Sequence, residues 1–225
     1  ELLNPWKDQL PKEIFTENFV PPSTDGSGND RTNLLKAKNI LEQEGWIIEN
    51  GKLTKNGKEF TFEFLIVSPS DEKIALAYQS NLKKLGITME VRTVDSSQYQ
   101  ARLLNYDFDM IKRYWGVSLS PGNEQQFYWG SEVGKKDGSR NYAGIDSPVV
   151  DALIKNLINA TDREELTTAI HALDRVLLWG HYVVPLYHSN KDRIAYWNFF
   201  EYPDKIPLYG IVIESWWLNK DKQIN

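Results

Sequence analysis

From residue 60 to residue 111 apolar runs of period two alternate with apolar faces of helical period, and this constrains the fold more than anything else in the chain. Phe60 to Val67 and Ile87 to Val94 read as strands, and Phe108, Met110 and Ile111 mark a third, mostly buried one. Two helices separate them. The first starts at Ser70-Asp71, carries Ile74, Ala75, Ala77, Tyr78, Leu82 and Leu85, and stops at Gly86. The second is capped at Asp95-Ser96 and carries Tyr99, Leu103 and Leu104. Strand, helix, strand, helix, strand in about 55 residues is the pattern of an α/β fold, a mixed sheet with crossover helices. Such sheets bind ligands beyond the carboxyl ends of their strands.

The flanking segments complete one lobe. Residues 1–31 are expected to be irregular, because Pro5, Pro11, Pro21 and Pro22 forbid a long helix and Thr24 to Asp30 is turn chemistry. Asp25, Ser27 and Asn29 have calcium-loop spacing, but Asp30 stands where glycine is needed and Lys36 where the closing acid belongs, so no metal is expected. Asn33 to Glu44 is an amphipathic helix with Thr32 or Asn33 as its cap and Gly45 as its stop, and Trp46 is expected to pack back on it. Lys52 to Thr54, the turn at Asn56-Gly57 and the strand Phe60 to Val67 read as a hairpin. Val149 to Ala160 and a segment from about Asp162 to Leu178 are helices, followed by strands at Tyr182–Tyr187, Arg193–Trp197 and Tyr209–Leu218. The expected division is an entry segment 1–31, a core 32–205 and a closing strand segment 206–225, with no linker between self-sufficient domains.

Charge and composition exclude several functions. The net charge is -5, from 26 basic and 31 acidic residues, and no long block of one sign exists, which disfavours nucleic acid or an anionic membrane as partner. Cysteine is absent, so disulfides, thiolate metal sites and a cysteine nucleophile are excluded. No apolar run reaches the roughly 18 to 20 residues of a membrane span. The initial Glu1 suggests a processed chain or a fragment. Eight tryptophans in a 12% aromatic composition favour a flat or amphipathic ligand.

The densest recognition chemistry lies from Asp107 to Gly130. Beyond the strand end stand Arg113, Tyr114, Trp115, Ser118, Ser120 and Asn123, with Gly116 breaking the run and Tyr128 and Trp129 following. Rings, a cation and small hydroxyls suit stacking, cation–π contact and hydrogen bonding to a polar organic solute. For each ring taken alone the plainer reading is core. Tyr187 and His188, at the end of a later strand, are further candidates to border a cleft. No nucleophile elbow, phosphate loop, dinucleotide fingerprint or zinc-protease motif occurs. His171 and His181 read as surface or satisfied core histidines. The remaining catalytic option is Asp107 with Asp109 as the acid/base pair of a hydrolase, against the plainer reading of solvated strand-edge acids.

Four runs taken in order carry a resemblance: helix-Gly-Trp from Asn33 to Trp46, the strand end FDMIKRYWG, NYAGIDSPVVDALI from Asn141 to Ile154, and YVVPLYHSNKDRIAYW from Tyr182 to Trp197. In this order the chain resembles the C-terminal lobe of the bacterial extracellular solute-binding proteins of family 5, with FVPPSTDGSGNDRTNL and VSLSPGNEQQFYWGS pointing to the Yej-type branch associated with oligopeptide and microcin C uptake. The resemblance implies one lobe of a type II periplasmic-binding-protein-like fold, exported to the periplasm, without cofactor or catalysis. It implies an N-terminal lobe outside this chain that completes the site, and ABC permease subunits as partners. In peptide-binding members a tryptophan and then an aspartate follow this strand, the acid pairing with the peptide ammonium. Trp115 matches the first, while Ser118 occupies the acid's place. A hydroxyl makes a bond roughly half as strong as a charge-assisted one, which weakens anchoring of a free amino terminus, so oligopeptides or blocked, formylated or otherwise modified peptides are the expected ligands.

Overall fold

The computed structural model describes residues 1–116, 118, 120–187, 189, 191–208 and 210–222. They form two compact units, Glu1–Val183 and Val184–Asn225.

In the first unit the entry segment is more ordered than its prolines suggest. A 3-10 turn at Asn4–Trp6 and α1 (Glu13–Thr16) bring Leu2, Leu3, Trp6, Leu10 and Ile14 onto a core built by two later helices. The Arg175 side chain pins the segment by donating to the carbonyls of Ile14 and Glu17. Next comes α2 (Arg31–Gln43). Its cap is Asp30, two or three residues earlier than expected, whose carboxylate accepts the Asn33 N–H at 2.9 Å.

Three short strands follow: β1 (Ile47–Glu49), β2 (Lys52–Lys55) and β3 (Lys58–Glu59), paired antiparallel in that order. Asn56 and Gly57 both have positive φ, the geometry of a two-residue hairpin turn. The expected long strand from Phe60 is divided. Phe60 donates its N–H to Leu53 of the ribbon and accepts from the Thr88 N–H with its carbonyl, and beyond it β4 (Thr61–Ile66) enters a different sheet.

That sheet positions everything of functional interest. After β4 come α3 (Pro69–Lys83), β5 (Thr88–Thr93), α4 (Ser96–Leu104) and β6 (Met110–Ile111), and the strands lie parallel in the order β5-β4-β6. Alternation along β4 sorts its side chains to two faces. Phe64 and Ile66 pack with Ala75 and Leu82 of α3, and Leu65 packs with Tyr99 and Leu103 of α4. Each such side chain, buried, contributes about 1.5–3 kcal/mol. Glu63 also faces α4 and meets Arg102 at 2.7 Å. Burial of both faces explains why alternation gives way to the continuous apolar run Phe64-Leu65-Ile66 at the end of β4.

The stretch past β6, expected to be loop as far as Gly130, instead contains α5 (Glu124–Trp129), followed at once by α6 (Ser131–Gly134). The unit closes with α7 (Pro148–Ile158), capped by Ser147, and α8 (Arg163–Trp179), capped by Asp162. Val149, Val150, Leu153, Ile154 and Leu157 of α7 bury against Ala169, Leu173 and Val176 of α8.

In the second unit β7 (Phe200–Glu201) pairs antiparallel with β8 (Trp217–Leu218). The strands expected at Tyr182–Tyr187 and Arg193–Trp197 are not formed, since among the described residues no neighbouring backbone pairs with them, and a strand exists only through its ladder. Of the strand expected from Tyr209 only β8 is strand, after a 3-10 turn at Ile213–Ser215, and Tyr209 itself lies outside the described residues.

Candidate functional site

The register Ile66↔Thr93 and Leu65↔Ile111 places the carboxyl ends of all three parallel strands on one edge. The first turn of α3 and the loop after β6 both leave from there. Lys112, the first residue of the loop, forms an ion pair with Asp71 of α3, and its carbonyl accepts from the Tyr99 hydroxyl at 3.4 Å. Burial raises the Tyr99 pKa above its ordinary value, against the opposing pull of nearby Arg113.

Arg113 is exposed and lies over the Tyr142 ring, with Cζ 4.8 Å from the centroid and Nη2 donating to the Tyr142 hydroxyl at 3.2 Å. Tyr114 is 88% exposed. Trp115 is half-buried and tilts against Trp129, the ring centroids 4.9 Å apart, and its indole N–H is buried without a partner among the described residues. The Gly116 carbonyl accepts from the Tyr128 hydroxyl at 3.1 Å. Ser118 closes a small turn, accepting from the Ser120 N–H at 3.2 Å and donating to its carbonyl at 2.6 Å. Gly122 then donates to both carboxylate oxygens of Glu124 at 3.0 Å. Burial pushes the Glu124 carboxyl up, but the Gly122 amide, its own backbone amide and Gln125 outweigh it and hold the pKa below the ordinary value. Asn123 is exposed and makes no capping bond to α5.

The loop rests on a buried frame. Asn141 is completely buried and bridges two segments: its amide donates to Gly130 at 3.1 Å and Ile145 at 2.8 Å, and its oxygen accepts from the Ile145 N–H at 2.9 Å. Tyr106 links Tyr142, at 6.4 Å between centroids, to Ser139, through their two hydroxyls. Ser139, Arg140 and Gly138 face Glu124, Phe127 and Tyr128 across an open groove of about 310 Å³.

The candidates from Arg113 to Asn123 thus belong to one loop on one sheet edge, with the Arg113 guanidinium, Tyr114, Ser118, Ser120 and Asn123 exposed, Trp115 half-buried against Trp129, and no nucleophile paired with a base among the described residues. Tyr187 is 79% exposed and belongs to the second unit. His188 lies outside the described residues. Asp107 and Asp109 precede β6, at the opposite end of the strand from the loop, and both carboxylates have partners. Asp107 meets Arg102 at 2.8 Å and Asp109 accepts the Glu63 N–H at 2.8 Å.

Residues 10–137 match the bacterial extracellular solute-binding proteins, family 5 (middle portion). The chain belongs to family 5. It is 40% identical over 223 residues to the probable peptide-binding protein YejA of Agrobacterium fabrum, covering 98% of this chain and 36% of that protein. It is 41% identical over 209 residues to the peptidoglycan-binding protein YepA of the same organism, covering 92% and 34%. Among solved structures it is similar to the oligopeptide-binding protein AppA from Bacillus subtilis in complex with a nonapeptide, with 26% identity and a TM-score of 0.61 over 73% of this chain and 35% of that one. The chain spans about a third of the length of the relatives it matches. Family 5 consists of extracellular binding proteins, and the neighbours share the type II periplasmic-binding-protein fold. No helix among the described residues is long and apolar enough to cross a membrane.

Within this family 5 chain, sequence reasoning missed the partners that hold the loop. Tyr142 and Asn141 were legible only as part of a family-like run, Phe127 only as a ring whose plainer reading is core although it is exposed, and Ser139 and Arg140 only as polar surface, because the groove they line joins separate segments.

Proposed function

We propose that the chain is a ligand-gripping lobe of the substrate-binding subunit of an ABC importer, taking peptides or peptide-bearing solutes and passing them unchanged to the permease. The carrying observation is the 40% identity to a probable peptide-binding protein along nearly the whole chain. A peptidoglycan-binding relative fits the same chemistry, since peptidoglycan carries short peptides on its sugars. In this reading Tyr114 and Trp115 give stacking surface, Arg113, Ser118, Ser120 and Asn123 give polar contacts, and the backbone at Gly116 lets a ligand approach closely. The N-terminal lobe supplies the other wall of the cleft, and the complete protein works in the periplasm or at the cell surface. A hydrolase centred on Asp107 and Asp109 gains no support, because both carboxylates serve structural contacts.

The test is a thermal-shift screen of the complete protein against di- to pentapeptides and muropeptides, with mass spectrometry of each ligand after incubation. A ligand at 100 times its Kd stabilises by about 2.7 kcal/mol and should be recovered intact. Cleavage of any ligand, or no shift across the panel, overturns the reading.

A further inference from the structure

We propose that the Arg113 guanidinium, seated on the Tyr142 ring, receives a carboxylate of the solute, so that this edge of the sheet selects its ligand by a negative charge. This rests on the solute-binding reading above and adds to it the sign of charge that the loop recognises.

From Lys112 to Asn123 the sequence carries two cations and no acid. Lys112 is neutralised by Asp71. Arg113 has no carboxylate within ion-pair distance among the described residues, and its partner there is the neutral Tyr142. The acids nearest in sequence are all engaged. Glu124 accepts from the Gly122 amide through both oxygens, and Asp107 and Asp109 are held at the far end of β6 by Arg102 and the Glu63 amide. Within the loop itself a ligand ammonium would therefore meet a cation and no free acid, whereas a carboxylate meets an exposed guanidinium; the exposed acid of the same edge is Glu72, in the first turn of α3.

Geometry supports the same sign. A guanidinium lying on an aromatic face has lost much of its freedom before the ligand arrives, and it keeps N–H edges suited to bidentate pairing with a planar carboxylate. Tyr142 is itself fixed, packed beside Tyr106 and against the cluster of Leu65, Val94, Tyr99 and Leu103. An arginine kept only for solubility would need no such seat.

Calorimetry on the complete protein with tetra-alanine, its N-acetyl form and its C-terminal amide tests this. Acetylation, which removes the ammonium, should change affinity less than about twofold, while amidation should weaken it about tenfold. Arg113→Gln should lower affinity for the acid about tenfold and leave the amide unchanged, with Arg113→Lys restoring part of the loss. Equal binding of acid and amide by the wild type, or an Arg113→Gln loss of the same size for both, overturns the proposal. Failure of all three probes, while other peptides of the screen stabilise the protein, overturns the charge inference alone. Failure of the whole screen removes the solute-binding reading as well.

Discussion

Asp71 in the first turn of α3 and Lys112, one residue beyond β6, form an ion pair that spans the carboxyl edge of the parallel sheet. Because α3 follows β4, the pair ties the exits of two adjacent strands together at the point where the candidate loop departs. The side chains are 13% and 34% exposed, which is enough enclosure for the pair to matter. Asp71→Asn and Lys112→Met should each destabilise by about 1–3 kcal/mol, and the double variant by less than their sum. A urea-unfolding double-mutant cycle measures the coupling, and strict additivity would dismiss the tie.

Gly86 should be the least replaceable glycine of the fold. Its φ is +78°, an added Cβ would stand 2.8 Å from the Leu53 nitrogen, and its carbonyl accepts the Leu53 N–H at 2.7 Å. Gly86→Ala should therefore cost about 3 kcal/mol, from left-handed backbone and a clash with backbone that cannot yield. Gly51 is the control. It has φ +80° but nothing within 4 Å, so Gly51→Ala should cost about 1 kcal/mol. Equal losses in parallel denaturation curves would contradict the difference in packing.

Asn141→Ala should leave the Gly130 carbonyl and both backbone groups of Ile145 without their side-chain partner in a sealed interior. A loss of about 3 kcal/mol follows from unmet buried groups. Faster hydrogen exchange at the Ile145 amide, which donates to the Asn141 oxygen, should accompany it. Protection unchanged at that amide would count against the bridging role.

Glu124 predicts a pH signature. Its folded pKa lies below the value of 4.5 for a free glutamate, so its contribution to stability is fully present above the unfolded value and is lost as the pH falls through the folded one. Glu124→Gln should consequently be less stable than wild type at neutral pH, with the gap closing in acid. Urea midpoints of the two proteins between about pH 3 and 7 should converge at the acid end. A gap that widens in acid would reverse the sign and refute the assignment.

Much of the fold is legible in the sequence because local and tertiary demands agree. Asp95, Gly86, Asn56-Gly57 and Asp162 each sit where their own backbone chemistry requires, and α4, α3, the hairpin and α8 stop or start there. The failures have a common cause in partners distant along the chain. Phe60 continues the alternation of Phe62 and Phe64 without a break, and only the competing claims of Leu53 and Thr88 on its backbone divide the strand. Tyr182–Tyr187 has strand composition, but composition cannot supply a neighbour to pair with. The loop from Arg113 to Asn123 was recognisable by residue type, whereas Tyr142, which seats its arginine, lies 29 positions away and emerges only when the chain is folded.

The double allegiance of Phe60, with Leu53 on one side and Thr88 on the other, makes the β1-β2-β3 ribbon a handle welded to the sheet at its base and open at its tip. At the exposed tip, Asn50-Gly51, a Cβ added to Gly51 would meet nothing within 4 Å. Length added there would be paid mostly as loop closure, about 0.6 kcal/mol per doubling. A reporter dye or affinity tag grafted between Asn50 and Gly51 would ride on the molecule while leaving the edge that carries Arg113 undisturbed.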